Sequence, residues 1–428
     1  LAVAAVLCYL FIVRGMYALE DLPVKKIPRW SKICIEVVMV VFFLHTVQVQ
    51  GTEIGMWDYI QSVRESSDFY EKEYVNPAKV KMTFPKEKKN LIYIFMESME
   101  SSYADKEDGG TMDDNYIPNL TKLARENVQF TDKKDGKVGG PVCLEATAYT
   151  AGGLVAQTSA INLKVMNSGA VSDSFLPNLT ALGDILNKQG YNQMFLCGSD
   201  GDFAGRDAYF KTHKDYQIED YKAAIKEGDI PKDYKVYWGH EDKVLYERAK
   251  KNLKKLSKED KPFNLTMLTV DTHFPNGYIC DLCENKYDTT YGNAVACADR
   301  QVYDFVQWIK KQDFYEDTTI IIAGDHTSMV DTGSKFWKSL SNDYQRTVYN
   351  AIINPQCAYK KKVTTKRKFS TMDMFPTTLA ALGVEIDGNK LGLGTNLFSG
   401  EETLREELGA KYINKELKRN DKMYNQFY

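Results

Sequence analysis

The sequence predicts an α/β chain: a three-layer sandwich on a mostly parallel central sheet, preceded by transmembrane helices. Two observations carry the sandwich. From Asn90 onward, short apolar runs of strand length alternate with helical patterns, which implies a largely parallel sheet with helices on both faces. Three of those runs end in residues that bear chemistry, and ligands of such sheets collect beyond the carboxyl ends of the strands. A third observation carries the membrane region: the longest apolar stretches lie before residue 50.

The first stretch, Leu1–Val13, is uncharged and begins without Met, so it reads as the remainder of a longer segment. The second, Ile33–Val49, has Glu36 near its start. Between them stand Arg14, Lys25, Lys26, Arg29 and Lys32. Basic residues favour the cytoplasmic side of short loops, which puts everything after residue 50 outside the cytoplasm. A cleaved signal peptide fits less well, because no small-residue cleavage site follows Val49. Residues 51–87 read as an extracytoplasmic connector, in which Trp57 and Tyr59 suit a membrane interface or ordinary packing.

The strand candidates are Leu91–Phe95, Val128–Phe130, Tyr191–Leu196, Phe263–Val270, Thr319–Ala323 and Val348–Ile353. Ile117-Pro118-Asn119-Leu120-Thr121 and Leu176-Pro177-Asn178-Leu179-Thr180 share a pattern that starts a helix with Pro, where its missing N–H costs nothing. Val302, Phe305, Val306 and Ile309 fall on one helical face before Thr319. The tail, 401–428, mixes Glu and Lys with spaced Leu and reads as a surface helix.

With 428 residues there is room for one large catalytic domain plus attachments, here 88–400. A net charge of -3 leaves no basic surplus for nucleic acid. Of eight cysteines, Cys8 and Cys34 lie in the apolar segments. Cys143, Cys197, Cys280, Cys283, Cys297 and Cys357 are an even set in a compartment that permits disulfides, which is the expectation. The alternative is metal: Cys280-Asp-Leu-Cys283 is half a zinc knuckle, without a second C-x-x-C or a His pair at finger spacing.

The chemistry sits at strand ends. The first run ends in Met96-Glu97-Ser98, the Phe263–Val270 run in Asp271-Thr272-His273, and the Thr319–Ala323 run in Gly324-Asp325-His326. Glu97 with an Asp–His pair gives a mixed oxygen and nitrogen site, suited to Mn²⁺ or Zn²⁺ rather than Ca²⁺. Thr150, in Tyr149-Thr150-Ala151-Gly152-Gly153, stands where a helix begins. There it is either an N-cap or a nucleophile activated by a cation.

Seven separated motifs in order decide between those readings: NLIYIFMES (90–98), YTAGGLVAQ (149–157), GSDGDFAGRD (198–207), DTHFPNGY (271–278), AGDH (323–326), DMFPTTLAALG (373–383) and LGLGTNLFS (391–399). Together they resemble the lipoteichoic acid synthase and phosphoglycerol transferase branch of the alkaline phosphatase/sulfatase superfamily. The resemblance implies Glu97, Thr150, Asp325 and His326 around one divalent cation, Mn²⁺ first, with Zn²⁺ or Mg²⁺ as alternatives. It implies Thr150 as catalytic nucleophile and His273 as the residue that binds a phosphoryl oxygen or protonates the leaving group. Arg206 would hold the substrate phosphate, with Ser199 and Asp200 in the glycerol-binding neighbourhood. It implies phosphatidylglycerol as donor, a cell-envelope glycan or glycerol-phosphate acceptor, a multi-pass membrane protein, and a monomeric catalytic domain. The synthases proper carry a histidine where this chain has Cys197 and a tryptophan where it has Ala204, so the chain looks more like the glycan-modifying transferases.

Rival readings are three. A sulfatase would need Cys or Ser in a C/S-x-P-x-R context, and Cys143-Leu144-Glu145-Ala146-Thr147 has neither the Pro nor the Arg. A phosphoethanolamine transferase shares the threonine chemistry and the anchor. A catalytically inactive, membrane-tethered wall-binding protein would have lost the nucleophile or a ligand, and all four positions retain competent residue types.

Overall fold

The computed structural model describes residues 29–53, 56–57, 60, 64–134, 136–164 and 174–428. The chain divides into two compact units, Leu1–Ser67 with Lys418–Asn420, and Asp68–Leu417 with Asp421–Tyr428. In the first, α1 (Arg29–Glu53) contains the Ile33–Val49 run and exposes Val38, Phe42 and Leu44. No helix among the described residues is long and apolar enough to cross a membrane. The Leu1–Val13 segment and the basic residues Arg14, Lys25 and Lys26 lie outside the described residues.

The second unit is built on a six-stranded sheet. Its strands are β1 (Asn90–Met96), β2 (Asn192–Cys197), β3 (Gln217–Glu219), β4 (Phe263–Leu268), β5 (Thr318–Gly324) and β6 (Asn350–Ile353). The spatial order is β3-β2-β4-β1-β5-β6, with every pairing parallel except β5 with β6. The sheet is therefore mixed, with one antiparallel edge on a parallel body.

Side chains alternate across β1. Leu91, Tyr93 and Phe95 enter one core, while Ile92, Ile94 and Met96 enter the other. Both faces are covered, which is why the central strands read as unbroken apolar runs. Over the first face lie α3 (Thr150–Ser159), α4 (Leu182–Lys188), α5 (Arg206–Thr212) and α8 (Met374–Ala381). Over the second lie α2 (Pro118–Glu126), α6 (Asp242–Leu256) and α7 (Thr290–Ile309). Val302, Phe305, Val306 and Ile309 are the buried stripe of α7.

Several elements depart from the sequence reading. Val128–Phe130 is not a strand of the sheet. Val128 bridges Ile352, but the Asn350 side chain then takes both the Phe130 N–H and carbonyl, at 2.9 Å each, in place of a continued ladder. Pro118 does begin α2, whereas Pro177 lies in a turn and α4 starts only at Leu182, where Asp184 accepts from the Ala181 N–H at 2.9 Å. The tail is not a plain surface helix: Leu404, Ile413, Leu417, Tyr424 and Phe427 are buried in the first core, as are Phe69 and Tyr70 from the stretch read as a connector. The expected disulfides are absent among the described cysteines, all of which are free thiols. Cys143, Cys197 and Cys357 sit before α3, at the end of β2 and after β6, too dispersed along the fold for the even count to imply pairing.

Candidate active site

Ladder register sets the site. Met96 pairs with Gly324, Phe95 with Leu268, and Leu268 with Cys197, so four neighbouring strands leave the sheet at one level. Glu97 follows β1, Asp325 and His326 follow β5, Thr269–His273 follow β4, and Ser199 follows β2.

Glu97, Asp325 and His326 are buried, with one donor atom from each within 4.8 Å of the others. His326 Nε2 lies 3.3 Å from Glu97 Oε1 and 3.5 Å from Asp325 Oδ2. The Thr150 hydroxyl donates to Glu97 Oε2 at 3.2 Å and stands 3.3 Å from His326 Nε2. Thr150 is the first residue of α3 and makes no N-cap bond. Its hydroxyl is turned into the cluster, which removes the capping alternative.

Surrounding bonds fix each group. His326 Nδ1 donates to the Thr327 carbonyl at 2.8 Å, so in the neutral ring Nε2 carries the lone pair facing Glu97, Asp325 and Thr150. The Ser98 and His326 N–H groups donate to Asp325 Oδ1, both at 2.8 Å. Ser98 Oγ donates to Glu97 Oε1 at 2.7 Å, and the Glu97 N–H to Thr269 Oγ1 at 2.9 Å. Ser98 reaches both carboxylates from a left-handed φ of 52°, a conformation that costs a non-glycine residue about 1–3 kcal/mol. Gln157 of α3 donates to the Gly324 carbonyl at 2.9 Å and thereby clamps the helix to the end of β5.

Electrostatics argue for a cation. Burial pushes Asp325 up to about 8, with Glu97 adding to the rise. Burial opposes ionisation of Glu97 as well, but His326 beside it holds it down at about 2. Burial works against a charge on His326, yet Asp325 and Glu97 raise it to about 10. Near neutral pH the protonated imidazole therefore offsets Glu97 while Asp325 keeps its proton, and a divalent cation would let both carboxylates ionise. Asp325 Oδ2 is buried without a hydrogen-bond partner, as a ligand atom would be. Two carboxylate oxygens, an imidazole nitrogen and a hydroxyl fit Mn²⁺, Zn²⁺ or Mg²⁺ in donor type and in charge.

A cavity of about 360 Å³ opens from this cluster and is lined by Glu97, Thr150, Ser199, Asp200, Arg206 and His273 among others. Arg206 is buried and heads α5. It donates through Nη2 to Ser199 Oγ at 3.0 Å and the Asp200 carbonyl at 2.7 Å, and through Nε to the Phe203 carbonyl at 3.0 Å. Ser199 and Asp200 thus seat the arginine as well as lining the cavity. His273, half-buried, donates from Nδ1 to the Phe274 carbonyl at 2.8 Å. All the predicted site residues therefore gather at one place.

Three lining residues outside every motif were not legible in the sequence: Lys235, Tyr237 and Trp238. The Trp238 ring packs 5.1 Å from His273 and 5.9 Å from Phe203. A larger cleft, about 500 Å³, lies at the amino ends of the strands beside Asn90 and Phe263, away from this chemistry.

This geometry has parallels. Residues 89–384 match the family Sulfatase. Phosphoglycerol transferase I of Salmonella choleraesuis (strain SC-B67) is 32% identical over 350 residues, which is 79% of this chain and 42% of the relative. The chain thus spans less than half the length of that relative. Among solved structures, the lipoteichoic acid synthase LtaP from Listeria monocytogenes superposes with a TM-score of 0.57 at 19% identity, over 75% of this chain and 79% of that one. An alkaline phosphatase superfamily protein from Vibrio parahaemolyticus gives a TM-score of 0.54 at 21% identity, over 80% and 78% of the two chains. The fold is alkaline phosphatase-like, and by the match across most of its catalytic unit the chain belongs to the sulfatase family.

Proposed function

We propose that this chain is a cation-dependent phosphoglycerol transferase whose nucleophile is Thr150. It takes glycerol phosphate from phosphatidylglycerol and delivers it to a cell-envelope glycan or glycerol-phosphate acceptor. The observation that carries the reading is the Thr150 hydroxyl, 3.2 Å from Glu97 and 3.3 Å from His326, at the mouth of a cavity that also holds Arg206 and His273. The 32% identity to a curated phosphoglycerol transferase supports the choice of transferred group. Family membership does not imply sulfate-ester hydrolysis, since Cys143 lacks the sulfatase context and Thr150 occupies the reactive position.

Glu97, Asp325, His326 and Thr150 would hold the cation, with Mn²⁺ preferred and Zn²⁺ or Mg²⁺ as alternatives. When bound, a divalent cation lowers the pKa of an adjoining hydroxyl and offsets charge growing on phosphoryl oxygens. The Thr150 hydroxyl gives up its proton to solvent and its oxygen attacks phosphorus as the bond to the diacylglycerol oxygen breaks, leaving phosphoglyceryl-Thr150. Arg206, held rigid by Ser199 and Asp200, stabilises the charge spread over the equatorial oxygens. His273 hands a proton to the departing oxygen. An acceptor hydroxyl then attacks the same phosphorus and passes its proton back to His273, and the Thr150 oxygen leaves and regains a proton from solvent.

The donor is a lipid, so tethering the enzyme to the bilayer raises the effective concentration of its substrate. The apolar run Leu1–Val13 and the basic residues after it support an anchor and an extracytoplasmic catalytic domain, whereas the Ile33–Val49 run lies in α1, which is not apolar enough to cross a membrane by itself.

Purified protein supplied with Mn²⁺ and phosphatidylglycerol vesicles is expected to release diacylglycerol, and phosphatidylethanolamine vesicles to release far less. Thr150→Ala should abolish release, and Asp325→Asn should abolish uptake of Mn²⁺ by elemental analysis. Full turnover by Thr150→Ala removes the nucleophile, while preference for phosphatidylethanolamine moves the assignment to the ethanolamine branch.

A further inference from the structure

A second group of metal-ligating side chains lies outside the cluster at Glu97. Cys280 and Cys283 belong to the loop that follows β4, and Cys297 projects from α7. The three Sγ atoms lie within 4.8 Å of one another. Cys280 Sγ is 3.6 Å from Cys283 Sγ and 3.9 Å from Cys297 Sγ.

These spacings discriminate between two uses of thiols. A disulfide brings one pair of sulfurs to about 2.05 Å and leaves the third cysteine out. A tetrahedral zinc site with Zn–S bonds of about 2.3 Å places each pair of sulfurs about 3.8 Å apart. The two measured separations straddle that edge length. Burial agrees: Cys280 and Cys297 are buried, while Cys283 is half-buried on a turn between exposed Leu282 and Glu284, which leaves a corner for solvent. Local bonds hold the sulfurs in place. The Cys280 N–H donates to Cys283 Sγ at 3.3 Å, Gln301 Nε2 donates to Cys297 Sγ at 3.5 Å, and Arg300 Nη2 ties the Leu282 carbonyl to α7 at 2.8 Å.

The geometry points to a zinc site formed by the thiolates of Cys280, Cys283 and Cys297, with the fourth corner open to solvent. Each thiol that coordinates surrenders its proton to solvent, so occupancy rises with pH. The site staples the loop that carries His273 to α7, with six residues between His273 and the nearer end of the cluster. This assignment does not depend on the reading of the centre at Glu97.

The test uses the full chain prepared with Zn²⁺ under non-reducing conditions. Elemental analysis of Asp325→Asn, in which the other centre is impaired, is expected to retain one zinc per chain, and Cys283→Ser and Cys297→Ser in that background to lose it. Because a cysteine variant could fail to fold, the cysteine-intact Asp325→Asn chain is also loaded with Co²⁺. A thiolate-to-cobalt charge-transfer band is expected, which oxygen and imidazole ligands alone do not give. Absence of that band, or a thiol count under denaturation showing a pair already oxidised with no zinc retained, overturns the site.

Discussion

Gly153 of α3 and Asp325 meet so closely that a methyl group on the glycine would lie 2.2 Å from the aspartate carbonyl oxygen. Backbone cannot yield there as a flexible side-chain end would, so Gly153→Ala must push α3 away from the end of β5. The expected cost in stability is about 1–3 kcal/mol. Turnover should fall further than that loss explains, because Thr150 rides on the displaced helix. Thermal unfolding and turnover measured on one preparation check this, and an active, unshifted variant would contradict the close approach.

Arg206 places its guanidinium through three bonds to Ser199, Asp200 and Phe203. Lysine keeps the charge but not the planar fork. Arg206→Lys is therefore expected to lower kcat/KM roughly 10- to 100-fold while leaving folding intact. Steady-state kinetics decide it; wild-type kcat/KM in the lysine variant would place the phosphate elsewhere.

Trp238 is 43% exposed and forms a lip over His273 and Phe203. An exposed aromatic there suits contact with the part of a substrate that projects from the cavity. Trp238→Ala should raise KM roughly 2- to 10-fold with little change in kcat. A drop in kcat alone would show that the ring acts by positioning His273 instead.

His240 is fully buried next to Gly198, and Nε2 has no hydrogen-bond partner. Burial pulls its pKa down from 6.5 to about 4, with Arg248 acting in the same direction. The folded protein holds this ring neutral, so its contribution to stability is full above the unfolded value of about 6.5 and is lost as pH falls toward the folded value. The loss amounts to about 3 kcal/mol. Denaturant unfolding of His240→Gln across that window should have a shallower pH slope than the parent, and identical slopes would exclude the histidine as the cause.

What the sequence disclosed follows from where the information sits. Glu97, Asp325 and His326 each terminate an apolar run, so placing the strands placed the ligands. Thr150 was ambiguous, because a threonine that caps a helix and one at the first helical position look alike in sequence; the bond to Glu97 separates them. The edge strand β3, Gln217-Ile218-Glu219, is too short and polar to stand out. Trp238 carries no local signal, since the loop bearing it reaches the cavity only after α5 and β3 have been placed. Parity alone groups Cys297 with the other thiols in the sequence, and only the packing of α7 against the Cys280 loop unites it with the C-x-x-C. Pro177 looked like a helix start because its neighbours copy those of Pro118, yet Asn178 is held to the Gln426 carbonyl at 3.0 Å, an anchor supplied by the far end of the chain.

The rung between Met96 and Gly324 has a practical corollary for engineering. Because backbone pairing, and not any loop, fixes the separation of Glu97 from Asp325, Phe203 and the segment 235–238 form an exchangeable rim on a fixed chassis. Libraries that randomise this rim would reshape the cavity mouth without dismantling the centre at Glu97, whereas an insertion into β1 or β5 would displace both carboxylates at once.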